Sequence, residues 1–250
     1  QRQMCIRDRH LDGAAAVVNL AGENLAEGRW TAERKQALLD SRVKSTRTLM
    51  EALEQTPRRP EALIQTSAIG FYGSDEDDIF TENSPGGAGF LAEVCRQWEQ
   101  TAQQAASLGM RLVIMRLGVV LGRDGGIMKR LLTLFRRGLG GPWGSGRQWL
   151  SWVHLADVIS AVEYFLHTPA AQGVYNLTSP QPVQVRQFAR RLGEVLHRPA
   201  LLRTPAAMLR LVLGEMADEM LLTGQRVEPQ KLLQEDFTFR FPDLRDALKD

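Results

Sequence analysis

The sequence predicts an α/β fold built on a parallel sheet that is doubly wound, with helices on both faces. Three observations predict it. From residue 14 onward, short apolar runs alternate with stretches of helical periodicity, and strands that alternate with helices pair in parallel under two helical layers. Glycine, asparagine and hydroxyl residues gather just after the apolar runs, where sheets of this kind hold their ligands. After Pro199 the alternation gives way to helices and loops, which predicts a small helical appendage over 199–250 behind a main domain over 11–198.

Taken in order, residues 14–20 (AAAVVNL) form a short apolar run ending near Gly22, the pattern of a buried strand. Thr31 is an N-cap for a long helix to about Leu53, with Leu38, Leu39, Val43, Leu49 and Met50 at helical spacing. Pro57 and Pro60 stop it. Residues 62–67 read as the next strand, and 75–89 as an acidic loop rich in Gly and Pro. Residues 90–107 read as a helix with Leu91, Val94, Cys95 and Trp98 on one face. Residues 111–117 are an apolar strand, 118–126 a glycine-rich turn, and 128–137 a basic helix. Asp157 is placed to cap a helix over 155–166; a strand over 174–177 and a helix over 183–196 follow. The appendage carries helical stretches at 205–222, 229–233 and 244–249.

Composition narrows the function classes. A net charge of +2 over 250 residues gives no basic footprint for nucleic acid. No apolar run approaches the roughly 20 residues of a spanning helix, so neither nucleic acid nor a membrane is expected as a partner. Two cysteines and four scattered histidines indicate neither a disulfide framework nor a metal site. A reducing, cytoplasmic setting is expected. Residues 1–10 open with QRQMCIRDR, which has no usable period and no apolar signal-peptide core; they read as a spurious or disordered leader.

The stretch GSGRQWLSWVHLADV over 144–158 carries the most information. It resembles the segment of extended short-chain dehydrogenase/reductases that runs Gly-Asp-Gly-x-Gln-x-Arg-Asp-Phe-Ile-His-Val-Asp-Asp-Val. Gly144, Gly146, Gln148, His154, Asp157 and Val158 match in one ungapped register. Together with NLAGENLAEGRWTAERK, SAIGFYG, FLAEVCRQWE, LGRDGG and GEMADEMLLTGQRVEP, it is similar to the atypical "epimerase family protein" branch over roughly residues 12–248. The resemblance implies a Rossmann-type domain with a small C-terminal helical domain, NAD or NADP as cofactor, and an unknown small-molecule substrate. It implies an oxidoreductase or epimerase. The alternative is a non-catalytic nucleotide-sensing or interaction protein on the same scaffold.

The resemblance also nominates residues. VVNLAG over 17–22 matches a cofactor-contacting strand end, with Asn19, Ala21 and Gly22 as contacts; a tight turn that needs Gly22 is the structural alternative. QTSAIGFYG over 65–73 matches the strand end that supplies a substrate-holding hydroxyl. Ser67 and Tyr72 are the catalytic candidates there, with Thr66, Leu117 and Gly118 beside the cofactor. Ser67 stands five residues before Tyr72, whereas the family's serine more often stands four before, where this chain has Ala68. Either hydroxyl could instead be satisfied inside the protein. Glu23, Arg29, Arg42, Arg147 and Trp149 are nominated to line the substrate site. His154 reads as a structural hydrogen-bonder.

Three departures bear on the chemistry. The superfamily's Tyr and Lys, four residues apart on one helix face, have no counterpart in FLAEVCRQWE. One register gives Phe90 and Val94, the next gives Leu91 and Cys95. Val119 and Leu121 replace a substrate-binding Asn and a Tyr, and Leu150 replaces a diphosphate-binding Arg, which argues against a UDP-sugar. Finally, no Gly-x-x-Gly-x-x-Gly turn precedes Asn19, and the first strand resembles the family's fourth. The sheet is therefore read as incomplete, with about two βα units (on the order of 60 residues) missing ahead of it. Such a chain is expected to be poorly soluble and to hold a nicotinamide cofactor only weakly.

Overall fold

The computed structural model describes residues 10–75, 77–123 and 125–250. The leader expected over 1–10 lies, His10 apart, outside the described residues. Four strands form the sheet: β1 (Ala16–Asn19), β2 (Ala62–Ala68), β4 (Arg111–Leu117) and β8 (Gly173–Leu177). Their order is β1-β2-β4-β8 and every pairing is parallel, as the alternation predicts. β2 pairs with both neighbours, and Ala62 meets Ala16 on one side and Arg111 on the other. Among the described residues β1 pairs only with β2, and Val18 in it and Leu20 just after it are exposed.

Alternate residues point to opposite faces of a strand, and this sheet buries both. Leu63 packs with Met50 and Leu53 of helix α1 (Ala32–Gln55) and with Ala102 of α2 (Phe90–Ala102). Its neighbour Ile64 packs on the other face with Val113, Met115 and Tyr175, under Ala161 and Phe165 of α5 (Leu155–His167). Thr31 caps α1 through its hydroxyl, as expected. A short α3 (Gln104–Ser107) follows α2 and completes the expected 90–107 stretch.

Several local expectations are corrected. The cap of α5 is His154, whose Nδ1 accepts from Ala156 N. Asp157 is fully buried instead and accepts from Arg240 N (2.5 Å) and Phe241 N (3.2 Å), so it anchors the tail. The glycine-rich 118–126 contains a strand, β5 (Val119–Leu121), which pairs in parallel with β7 (Trp152–His154); α4 (Gly126–Arg136) follows. The acidic loop contains β3 (Ile79–Phe80), which pairs with β10 (Arg226–Val227) from the tail. Gln184 and Val183 form β9 against β6 (Trp149–Leu150), so α6 (Val185–Leu196) starts later than the periodicity suggests. These ribbons are two or three residues long and owe their pairing to tertiary neighbours.

The tail holds α7 (Ala206–Leu213), α8 (Glu215–Ala217), a π turn (Asp218–Leu222), α9 (Gln230–Gln234) and α10 (Leu244–Lys249). It shares the core of the main domain. Leu232 and Phe239 join the cluster around Met115 and Phe165, and Leu244 and Ala247 pack with Trp152 and Phe188.

Candidate functional site at the carboxyl edge of the sheet

The parallel strands bring the ends of β1, β2 and β4 to one edge. Asn19 ends β1 and is held rigidly. Its Nδ2 donates to Thr46 Oγ1 (3.0 Å) and Gln65 Oε1 (2.8 Å), and its Oδ1 accepts from Ala21 N (3.2 Å). Trp98 Nε1 donates to the same Thr46 hydroxyl. Ala21 and Gly22 then lie exposed. A Cβ on Gly22 would come within 3.0 Å of the Arg42 guanidinium. Arg42 is itself buried, donates to Leu38 O and Glu23 O, and lies over the Trp98 ring.

Beside Asn19, Thr66 on β2 carries a buried Oγ1 with no hydrogen-bond partner among the described residues. At the end of β4, Gly118 N donates to Leu177 O (3.1 Å), and a Cβ there would meet Ser151 O at 2.7 Å. Only glycine allows the β5–β7 ribbon to approach the sheet so closely. The exposed Ala21 and Gly22 leave backbone open at the edge where parallel sheets of this kind hold their ligands.

The two catalytic candidates meet in one buried network, but both hydroxyls are engaged inside it. Ser67 Oγ donates to Glu99 Oε1 (2.6 Å). Arg116 of β4 grips Glu99 with two nitrogens, Nε to Oε1 (2.9 Å) and Nη2 to Oε2 (2.8 Å). Its Nη1 donates to Tyr72 Oη (3.0 Å), and that hydroxyl donates to Asn176 Oδ1 (2.6 Å). Phe71 stacks on the Arg116 guanidinium at 3.4 Å. Ser67 and Tyr72 are 1 % and 2 % exposed. Burial pushes the Tyr72 phenol above its ordinary pKa, and Arg116 only partly offsets this. In this conformation the hydroxyls of Ser67 and Tyr72 are both hydrogen-bonded within the protein.

Helix α2 contains neither a tyrosine nor a lysine. Cys95, at the lysine position of one register, is buried, and burial pushes its thiol up to about 11. The N-terminus of that helix is instead capped from the tail. Glu219 of the π turn accepts from Phe90 N (3.3 Å) and Leu91 N (3.2 Å). Between them lies a cavity of about 110 Å³ lined by Gly70, Gly73, Leu91, Asp218 and Glu219 among others.

The substrate candidates fall in two stretches of the chain, 23–42 and 147–149. Glu23 and Arg29 are exposed on the loop after β1. Glu23 forms an ion pair with Arg34, and Arg29 lies against Gly214. Arg42, on α1 behind that loop, holds the turn through its bond to Glu23 O. Arg147 is exposed on the turn before β6, and Trp149 lies in β6 with Arg226 over its ring. No three His, Cys, Asp or Glu side chains among the described residues are grouped to hold a metal. No helix among them is long and apolar enough to cross a membrane.

Motif reading missed Glu99, Arg116 as a clamp, Asn176 and Glu219. One signal was present for the first two. Glu99 sits beside Trp98 on a helix whose inner face is apolar, and Arg116 interrupts an otherwise apolar strand. Paired charges at inward positions mark a buried ion pair.

Comparison with known proteins identifies the family. The model of the NAD dependent epimerase/dehydratase family matches residues 6–178, and a domain of unknown function (DUF1731) matches 204–250. The Arabidopsis thaliana protein named "Epimerase family protein SDR39U1 homolog, chloroplastic" is 40% identical over 241 residues, covering 96% of this chain and 69% of the relative. The crystal structure of human epimerase family protein SDR39U1 (isoform 2) with NADPH superposes with a TM-score of 0.92 at 35% identity, covering 96% of this chain and 82% of that one. The nucleoside-diphosphate sugar epimerase of Corynebacterium glutamicum superposes at 0.77 and 32% identity, covering 96% and 46%.

Proposed function

Because the chain belongs to the NAD-dependent epimerase/dehydratase family, we propose that it binds NAD or NADP at the carboxyl edge of its sheet and acts there on a small molecule. The observation that carries this reading is the edge itself: β1, β2 and β4 run parallel, and their ends are small, polar and partly open. Asn19 shapes the turn, Ala21 and Gly22 leave the backbone bare, and Thr66 Oγ1 has an unused hydrogen-bonding valence. Leu117 and Gly118 close the other side of the groove. When bound, the nicotinamide ring supplies hydride transfer. The NADPH named with the human relative makes that form the first to test.

Glu23 and Arg29, exposed beside this edge, are the substrate contacts of this reading; Arg147 and Trp149 extend the surface from β6. The protein works in a reducing, cytoplasmic compartment, which suits the buried free thiol of Cys95. Proton handling falls to groups other than a Tyr/Lys dyad, because neither Phe90 and Val94 nor Leu91 and Cys95 can ionise usefully there. The engaged hydroxyls of Ser67 and Tyr72 favour one second reading, a nucleotide-sensing protein without turnover.

Amide chemical-shift mapping with NADPH tests the binding, since it also reports weak complexes. Shifts concentrated on residues 19–22, 66 and 117–118 are expected. Saturation without shifts there would overturn the assignment of the groove. Exchange of isotopic label from NADPH into a carbonyl substrate panel separates the enzyme from the sensor.

A further inference from the structure

Two neighbouring segments break the charge balance of the chain. The whole sequence has 31 basic and 29 acidic residues, yet 126–140 and 198–212 hold seven basic residues and no acidic one. The segments touch: Leu202 N donates to Gly140 O, and Arg198 Nε donates to Arg136 O, both at 3.3 Å. Lys129, Arg130, Arg136 and Arg137 on α4 and the loop after it are all exposed. Of the seven cations only Arg210 pairs with a carboxylate among the described residues, Asp218 at 2.9 Å.

The same segments expose aliphatic side chains that a solvated surface does not need. No residue of α7 is buried. Its Met208, Leu211 and Val212 stand at i, i+3 and i+4, which is one helix face, and the last two are 77% and 63% exposed. Leu201, just before α7, is 83% exposed, and Leu139 and Leu202 flank the junction of the segments. The one aromatic residue in either segment, Phe135, is buried at 1%.

We infer that this face is a docking surface for an anionic lipid bilayer, held by aliphatic insertion and by cation attraction to headgroups. The combination of a basic field with leucine, methionine and valine is what an interfacial surface requires. A second copy of the chain fits poorly, since a twofold interface would set the cations of one protomer against those of the other. A single-stranded nucleic acid fits poorly too, because the exposed set offers no aromatic ring for stacking. The sequence-based expectation of no membrane partner rested on the lack of a spanning segment, which says nothing of a peripheral face.

The experiment is co-sedimentation of the full chain with large unilamellar vesicles, either pure phosphatidylcholine or equal parts phosphatidylcholine and phosphatidylglycerol. Binding to the anionic vesicles alone, weakening as salt shortens the screening length, is expected. Arg136→Gln with Arg137→Gln should weaken it roughly 30-fold, from the usual contribution per cation near an anionic surface. Leu201→Gln with Leu211→Gln should weaken it at unchanged salt dependence. Circular dichroism checks that these surface variants stay folded, and the wild-type comparison of the two vesicle types stands without them. No binding at low salt, or equal binding to both vesicle types, overturns the inference. So does a concentration-dependent dimer that the leucine variants abolish, or tight binding of a single-stranded oligonucleotide that they leave intact.

Discussion

Replacing Arg116 by Met tests whether the Glu99–Arg116 pair holds the site together. Both side chains are nearly dry, at 5% and 7% exposure, and the pair is bidentate. Arg116→Met leaves the Glu99 carboxylate buried with only the Ser67 hydroxyl donating to it. Stranding one partner of a buried pair costs about 3–5 kcal/mol, which lowers the melting temperature of a domain this size by roughly 6–20 °C. Glu99→Leu alone strands the guanidinium and should cost a similar amount. The double variant Arg116→Met with Glu99→Leu removes both charges, and the desolvation penalty of each goes with them. Tyr72 keeps its bond to Asn176 in that variant, so the main remaining defect is the Ser67 hydroxyl, about 1–3 kcal/mol if unsatisfied. The double variant should therefore be more stable than either single one. Urea denaturation of the four proteins completes a double-mutant cycle. Additive losses, or single variants within about 1 kcal/mol of wild type, would show that the pair is not the clamp inferred here.

Three further outcomes follow from the geometry. Burial holds the His154 imidazole below its ordinary pKa of 6.5, against the pull of Asp250 and Asp157. The unfolded chain thus takes up the proton first, and the stability from this group, full above 6.5, is lost on acidification. His154→Asn, which keeps a capping side chain, should flatten that part of the melting-temperature profile; an unchanged slope would remove His154 as its source. Gly87→Ala should lower the urea midpoint by the equivalent of roughly 1–3 kcal/mol of overpacking, because the added Cβ would lie 2.1 Å from Tyr72 O; an unchanged midpoint contradicts this. Asp157→Ala strands the amides of Arg240 and Phe241, at roughly 1–3 kcal/mol each. Their hydrogen exchange should accelerate while that of β2 amides changes less, and uniform acceleration would mean that the tail is not a separate opening unit.

The sheet was legible in the sequence because each of its strands is a run of four to seven mostly apolar residues bounded by turn formers. The ribbons β3–β10, β5–β7 and β6–β9 were not, since two or three residues set no period and their partners lie far along the chain. The site divides in the same way. Motif spacing led to the strand end at residues 65–73, but not to the direction of each side chain. Along β2 that direction alternates. Ser67 turns to Glu99 on the α2 face, so its neighbours Thr66 and Ala68 share the opposite face. The family's serine more often stands at the position of Ala68, which is in phase with Thr66 and out of phase with Ser67. A shift of one residue thus separates a hydroxyl locked in a charged network from one with an unused valence. Thr66→Val, which is nearly isosteric and leaves the Glu99–Arg116 clamp untouched, is the substitution that asks whether the groove uses that hydroxyl.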